Sequence, residues 1–564
     1  MTDWLNVGRA ADLRERKLLV VRAGNRPIAI FADGDRVFAV DNRCPHMGFP
    51  LSKGTLKDGV LTCHWHAWQF DASCGGCFTG GGSPVAAYPV EVRGDDVFVG
   101  IARPDPAADA ARARAELDRG LREFSTLRLA KSAYALLERG VPPSELVTTA
   151  AGVGTAWRDD FSMGLTILAC TANLVRDVAL PVEDRVQALT HGLRNVARDV
   201  EKTAPRRHHG ALPNTGASQE RLVEWFRGFV HDREEEAAER VLLTVVEREA
   251  PARVEAMLHA AIADHVFLEE GHALDFANKA VELLDHVGWN HAPEVVPTLV
   301  RTLCTGRRHE EDMMWKRPHD LVALAGEIAA RMEASTARPA YSRATLVEGI
   351  LSDDPARLAD TLVAAAGAPI DELALGVALA ACTRLARFHT RNEFSDWDWA
   401  HHAVTSAAAL RRIARRAPSP ALRPLLVQSA LYVFLARFLN VPKHPMPHER
   451  KEPSTGTIED IETGILLRRP DEIDRAVHAV FARPDPAALS RFVAASLRED
   501  LAFHGFQQIE AAVGLHRDLE GTPEAWIPLA GAARFIAAHA PTARSVHQTV
   551  QNAIKLQRGE VLHE

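Results

Sequence analysis

Cysteine is scarce in this chain, seven in 564 residues, and so few cannot form a disulfide framework. Long uncharged apolar runs are also missing. The most apolar stretch, residues 422–441, is interrupted by Arg423, Gln428 and Arg437, and the opening MTDWLNVGRAADLRERK has no basic-then-apolar leader. Neither a membrane span nor a signal peptide is therefore expected. Positive charge is not in excess: 66 Lys and Arg face 74 Asp and Glu, a net charge of −8. The two signs are mixed with no basic stripe, so nucleic acid is not an expected partner. At 47% hydrophobic and 25% charged residues the composition is that of a globular protein of two or more domains, with the cytoplasm as the expected compartment. Cys170, Cys304 and Cys382 stand singly in apolar runs, as small buried thiols do.

What is present changes character once. From Lys17 to Ile101 short alternating runs, LLVVRA, PIAIFA, RVFAVD, VEVRG and DVFVGI, are separated by turn signals such as Asp33-Gly34-Asp35 and Gly94-Asp95-Asp96. They read as antiparallel strands. Beyond Ile101, ARPDPAADAARARAE reads as a linker running into a helix, and the remainder is rich in Ala, Leu, Arg and Glu with helical periodicity. The expected organisation is an all-β domain over residues 1–104, a linker over 105–118 and an all-α region over 119–564. A Pro-containing break at 339–355 is a possible division within it. ARPDPAA occurs at Ala102 and again at Ala482, too short a copy to establish a repeat.

Inside the β segment stands NRCPHMGFPLSKGTLKDGVLTCHWHAWQFD, with Cys44-x-His46, sixteen intervening residues and Cys63-x-x-His66. Two ligand-type residues on each of two tight loops can converge on one metal centre, a zinc ion or an iron–sulfur cluster. With Pro45 and Gly48 in the first loop and Trp68 and Phe70 after the second, the segment resembles the Rieske ferredoxin family over about the first hundred residues. That resemblance implies a [2Fe–2S] cluster held by Cys44 and Cys63 on one iron and His46 and His66 on the other. The chain departs from the family where His64 and Ala67 replace the usual Pro and Gly. Phe49 and Trp65 stand where high-potential members carry a disulfide, and Trp68 and Phe70 where they carry hydroxyls that donate to the cluster. Without those donors a potential at the low end of the Rieske range is expected. Cys74 and Cys77 form a C-x-x-C pair on a Gly-rich turn.

Of 25 histidines, 22 lie beyond Ile101. Asp398-x-x-His401 begins the iron motif of ring-hydroxylating oxygenases, but no histidine follows five residues on, and that assignment is disfavoured. Residues 251–288 read as one helix from a proline start to a glycine stop, placing Val254, Leu258, His265, Glu269, His272 and Phe276 on one stripe. Glu269-x-x-His272 has the spacing of helical di-iron carboxylate proteins. A second helix, capped by Ser395, carries His402 at the edge of an apolar face and His401 outward. A third, 490–515, carries His504 between Asp500 and Gln508. The stretches HHGALPNTGAS, HVFLEEGHALDF and WAHHAVTSAAAL resemble the questin-oxidase-like family of helical monooxygenases.

The expected function is an oxidoreductase whose cluster takes electrons from a ferredoxin reductase or other donor and passes them to a helical domain that oxidises a small organic substrate. His265, Glu269 and His272 are expected to be catalytic and to form part of a second, non-haem iron site, with His402, His504 and the His208-His209 pair as further candidate ligands. The competing expectations are a non-catalytic carrier with a helical docking domain, and a redox sensor. No nucleotide-binding turn is evident, which places NAD or flavin on a partner. On reduction the protein should show electron paramagnetic resonance with an average g below that of an all-cysteine cluster, because imidazole replaces thiolate on one iron. His46→Ala or His66→Ala should abolish or cripple that signal. Zinc in place of iron, or an unchanged signal in both variants, would overturn the assignment.

Overall fold

The computed structural model describes residues 2–24, 26–80, 82–102, 105–335, 341–393, 395–450 and 454–560. They fall into two compact units: the first comprises Met1–Leu146, Pro181–Glu201 and Ser545–Glu564, the second Val147–Leu180 and Lys202–Arg544.

In the first unit ten strands form three small antiparallel sheets. They are β1 (Thr2–Arg9), β2 (Leu18–Ala23), β3 (Arg26–Asp33), β4 (Arg36–Asp41), β5 (Thr55–Lys57), β6 (Val60–Thr62), β7 (Gln69–Asp71), β8 (Ala87–Tyr88), β9 (Val90–Arg93) and β10 (Asp96–Ala102). The sheet orders are β1-β10-β9, β2-β3-β4-β8 and β5-β6-β7. The second sheet is buried on both faces, and the period of two in its strands says why. Ile28, Ile30 and Ala39 face a core shared with Val97 and Val99 of β10 and with Ala10 and Leu13 of the helix α1 (Ala10–Arg16). Ala29, Phe31, Phe38 and Val40 face the opposite core, shared with Leu61, Phe70, Cys44 and Cys63. The two turn signals read from the sequence close the β3–β4 and β9–β10 hairpins, with Gly34 and Gly94 in the left-handed region.

The segment read as a linker is instead helical. It forms α2 (Pro106–Arg122), whose start is fixed by Pro106 and by the Asp105 carboxylate, which accepts from the N–H groups of Ala107 and Ala108. The second ARPDPAA starts a helix the same way, at Asp485 and Pro486. The short repeat is thus a helix-start signal used twice. Next comes α3 (Thr126–Glu138). Since the helices Val182–Val200 and Ser545–Gln557 also belong to the first unit, the all-α region is not one body. The 339–355 break does not divide it either, because the helices Leu321–Ala334 before it and Ile370–Ala386 after it share the second unit; residues 339 and 340 lie outside the described ones.

Among its described residues the regular elements of the second unit are all helices. Segment Pro420–Asn440 is long and apolar enough to cross a membrane, and 78% of its most apolar window is buried within the fold. At the centre of this unit a charged network ties four helices together. Lys279 donates to Glu282 Oε2 at 2.8 Å and to Glu510 Oε2 at 2.6 Å. Arg412 pairs with both carboxylates. Asn173 donates to Glu282 Oε2 at 2.8 Å and Glu510 Oε1 at 3.0 Å. Two cations and two anions cancel, and the paired charges hold Glu282 well below the usual carboxylate range against the desolvation that opposes it. Glu510→Gln should destabilise this unit by about 3–5 kcal/mol, because it leaves an uncompensated buried cation. Adding Lys279→Met should restore much of the loss in a denaturant titration; an additive double variant would mean that the two side chains are not coupled.

Candidate functional site

The cluster loops hang from the β sheets. Each is pinned by its backbone: Cys44 N–H donates to Phe49 O at 2.9 Å, Gly48 N–H to Cys44 O at 2.8 Å, and Cys63 N–H to Trp68 O at 2.8 Å. Both cysteines are buried and free. The His46 and His66 rings lie 4.6 Å apart, and His46 stacks on Trp68 at 4.5 Å. Burial pushes the Cys44 thiol up to about 12, while the N–H groups of His46 and Met47 point at its sulfur and oppose that shift. His46 Nδ1 is buried with no hydrogen-bond partner. An orphaned imidazole nitrogen beside two buried thiols is a donor set suited to a metal centre, so the residues present fit the cluster. His64 is exposed, 3.3 Å from Thr55 Oγ1. Cys74 is exposed and Cys77 half-buried, both unbridged.

The second unit gathers histidines of its own by a route the sequence pattern did not show. The 251–288 helix does not exist as one piece: a helix Pro251–Ala263 ends, a turn intervenes, and a new helix runs His272–Val287. In the turn Phe267, Glu269, Glu270 and Gly271 all have positive φ, of 46, 50, 55 and 87°. Three non-glycine residues in that region cost about 1–3 kcal/mol each, a strain that concentrates at functional sites. Gly271 has no alternative, since a Cβ there would lie 2.8 Å from the Phe267 ring and 2.9 Å from Ser406 Cβ.

The break separates the three residues expected to act together. His265 is buried with Nδ1 2.8 Å from Glu310 Oε1, and Glu269 closes the turn by exchanging hydrogen bonds with the Arg307 backbone. His272, at the start of its helix, instead meets His402 and His504. Ligand-capable atoms of these three lie within 4.8 Å of one another, the one such group of histidine, cysteine or carboxylate residues among those described. The ring centroids are 4.6 Å apart for His272–His402, 4.8 Å for His402–His504 and 5.4 Å for His272–His504.

His402 lies on the helix Asp396–Arg416, whose Ser395 makes no side-chain cap. His401 is not outward but 1% exposed, with both ring nitrogens unpartnered. The expected 490–515 helix is likewise two, Pro486–Leu497 and Phe503–Asp518. It breaks where buried Glu499 turns to Thr542 and Arg544, and Asp500 donates its N–H to Thr542 Oγ1 instead of flanking His504. Gln508 is buried without a partner. His208 and His209 are elsewhere, lining a cavity of about 440 Å³ with Thr148, Leu243 and Val287.

Electrostatics keep the three imidazoles in ligand form. Burial, helped by neighbouring imidazoles, lowers His272 to about 3 and His402 well below the ordinary histidine range; burial also lowers His504. All three are therefore neutral at pH 7, with a lone pair available. Behind His504, Nδ1 lies 3.1 Å from Gln507 Oε1 and the Gln507 amide donates to Asp275. An Nδ1–H···Oε1 bond leaves the lone pair of Nε2 free to ligate a metal, 3.9 Å from Asp398 Oδ1. Glu270 Oε2 is 3.2 Å from His402 Nδ1 and its Oε1 accepts from Arg307 at 3.1 Å, while His402 Nε2 is buried and unpartnered. Glu270 stands in no motif spacing in the sequence, whereas its neighbour Glu269 stands in Glu-x-x-His. The available signals were Gly271 and a proposed helix of 38 residues, well beyond the usual 8–20.

The family model for the Rieske [2Fe-2S] domain matches residues 3–89. The chain is 32% identical over 102 residues to ferredoxin CarAc of Metapseudomonas resinovorans, covering 92% of that protein and 17% of this chain. It is 30% identical over 105 residues to the anthranilate 1,2-dioxygenase ferredoxin subunit of Burkholderia cepacia, covering 94% of it and 18% of this chain. With the 4beta-methylsterol monooxygenase of Methylococcus capsulatus it shares 40% identity over 75 residues, which span only 20% of that protein and 13% of this chain. Among solved structures, the complex of reduced oxygenase and oxidized ferredoxin in carbazole 1,9a-dioxygenase contains a similar chain, at 30% identity, 97% coverage of that chain, 18% of this one and a TM-score of 0.17. The cluster ligands, their orphaned nitrogen and the two ferredoxin relatives agree on an iron–sulfur electron-transfer role, and through its N-terminal region the chain belongs to the Rieske [2Fe–2S] family.

Proposed function

We propose that the chain is a two-part oxidoreductase in which the Rieske unit accepts electrons from a ferredoxin reductase or similar donor and the helical unit oxidises a small organic substrate at a mononuclear non-haem iron held by His272, His402 and His504. The observation that carries this reading is the convergence of three neutral, largely buried imidazoles from three separate helices, with His402 Nε2 buried and unpartnered among them, where burying an unpaired polar atom is otherwise costly. When bound, iron supplies the redox centre for dioxygen reduction and substrate oxidation.

The chain's own residues do the rest. The Gln507–Asp275 pair fixes the tautomer and orientation of His504. Phe276 and Phe503 pack against His272 at 5.2 and 5.7 Å. Phe267, Trp399 and Trp315 stack around Tyr432 at 4.0, 5.7 and 6.3 Å, an aromatic wall suited to excluding water and to an apolar substrate. Glu270 and Asp398 bring two carboxylates to the rim, either able to take a proton or complete a coordination sphere. Glu269 is too engaged with the Arg307 backbone to act as the second-iron ligand that its spacing suggested.

Iron quantitation on anaerobically purified protein tests this. Wild type should hold more than the two irons of its cluster, and His272→Ala, His402→Ala and His504→Ala should each remove the excess and abolish reductant-driven oxygen consumption while the Rieske signal stays intact. His265→Ala should leave iron unchanged and lower stability by about 1–3 kcal/mol, the cost of an unpaired buried group. Two irons per wild-type chain would instead support a carrier with a helical docking unit.

A further inference from the structure

The cluster loop has a cation behind it that its own strands do not supply. Within the first unit α3 packs beside the β sheets, and Lys131 on this helix donates from Nζ to Pro45 O at 3.3 Å. Pro45 is buried and lies between Cys44 and His46, one ligand of each expected iron. One turn earlier on the same helix Arg128, 5% exposed, donates to Gly82 O and pairs with Glu116 at 2.9 Å. Contact with the β domain desolvates the Lys131 ammonium and draws it down to about 8, while the charges of Cys44, Glu116 and Asp41 act to keep its proton on.

We infer that Lys131 is a potential-tuning residue: its ammonium, held at the Pro45 carbonyl on the buried side of the first cluster loop, stabilises the reduced cluster and makes this centre more oxidising than its loops alone would dictate. Reduction adds one electron and so one negative charge to the cluster, and net charge and hydrogen bonding around the sulfurs set Rieske potentials. The positions that carry hydroxyl donors in high-potential members are Trp68 and Phe70 here, so beside the Cys63 thiol the groups that the loops offer the Cys44 sulfur are the backbone N–H groups of His46 and Met47. A fixed cation that is partly out of water acts through a far lower effective dielectric than one in bulk solvent. The role of an absent hydroxyl is thus taken by a charge borne on a helix outside the β domain. This inference needs only the cluster, not the iron proposed for the second unit.

The test is a potentiometric titration of the full-length protein, followed by the Rieske signal, for wild type, Lys131→Gln, Lys131→Arg and Glu116→Gln. In Lys131→Gln the reduced-to-oxidised ratio at a fixed applied potential should fall at least tenfold, a negative shift of about 59 mV for one electron. Lys131→Arg, which keeps the charge, should stay closer to wild type than Lys131→Gln does. Coincident midpoints for wild type and a fully loaded Lys131→Gln would overturn the inference, as would an Arg variant that shifts as far as the Gln variant. If Lys131→Gln fails to load its cluster, Glu116→Gln decides. Removing that anion from beside Lys131 and Arg128 should raise the midpoint, and an unchanged or lowered value would overturn the inference.

Discussion

The second unit depends on a neutral knot of charge buried at its centre. Lys279 and Arg412 neutralise Glu282 and Glu510, and Asn173 spans the two carboxylates. Each ion would be costly to bury alone, and only the complete set is tolerable. Its members lie on the helices Met163–Asp177, His272–Val287, Asp396–Arg416 and Phe503–Asp518, and the last three also carry His272, His402 and His504. The registers that close the knot are the registers that bring the imidazoles together. Buried ionic contacts often contribute little net stability, and here the use we assign to them is alignment, with apolar packing supplying most of the free energy.

Alignment alone would not create the site, because a continuous 251–288 helix would carry His265 and His272 along one stripe toward the same neighbours. The turn at Phe267–Gly271 separates them. It is a strained segment, kept by contacts on all sides: Phe267 stacks on Tyr432 and takes its backbone acceptor from Gln428, Glu269 is tied to Arg307, and Gly271 seats against Ser406. The strain turns Glu270 toward His402 and starts a fresh helix at His272, whose ring meets those of His402 and His504. Conformational cost is met at one turn so that rigid helices can present the rest.

The first unit solves a different problem, that of fixing four ligands on two loops. Its central sheet is packed on both faces, so Phe31, Phe38 and Val40 form one wall of the core that encloses Cys44 and Cys63. The loops are then closed by their own backbone hydrogen bonds. Lys131 and Arg128 of α3 reach the backbone of both the cluster loop and the Gly-rich turn, so helical residues that follow the β domain in sequence are part of the environment of its cofactor.

Strands, hairpin turns and the four cluster ligands were legible in the residues themselves, because alternation, Gly-containing turns and Cys-x-His with Cys-x-x-His spacing are local properties of a few adjacent positions. The helical character of the remainder was legible for the same reason. Where helices stop was not: the breaks at 264–271 and 498–502 come from Gln428, Arg307, Thr542 and Arg544, residues 38 to 161 positions away in the contacts they make. His272, His402 and His504 each stood out as a histidine on a helix, but the grouping of the first with the other two, rather than with His265 and Glu269, was set by tertiary packing. A sequence pattern gives the direction of a side chain relative to its own helix; which side chains meet is decided by the lateral packing and register of helices whose contacts the local pattern does not encode.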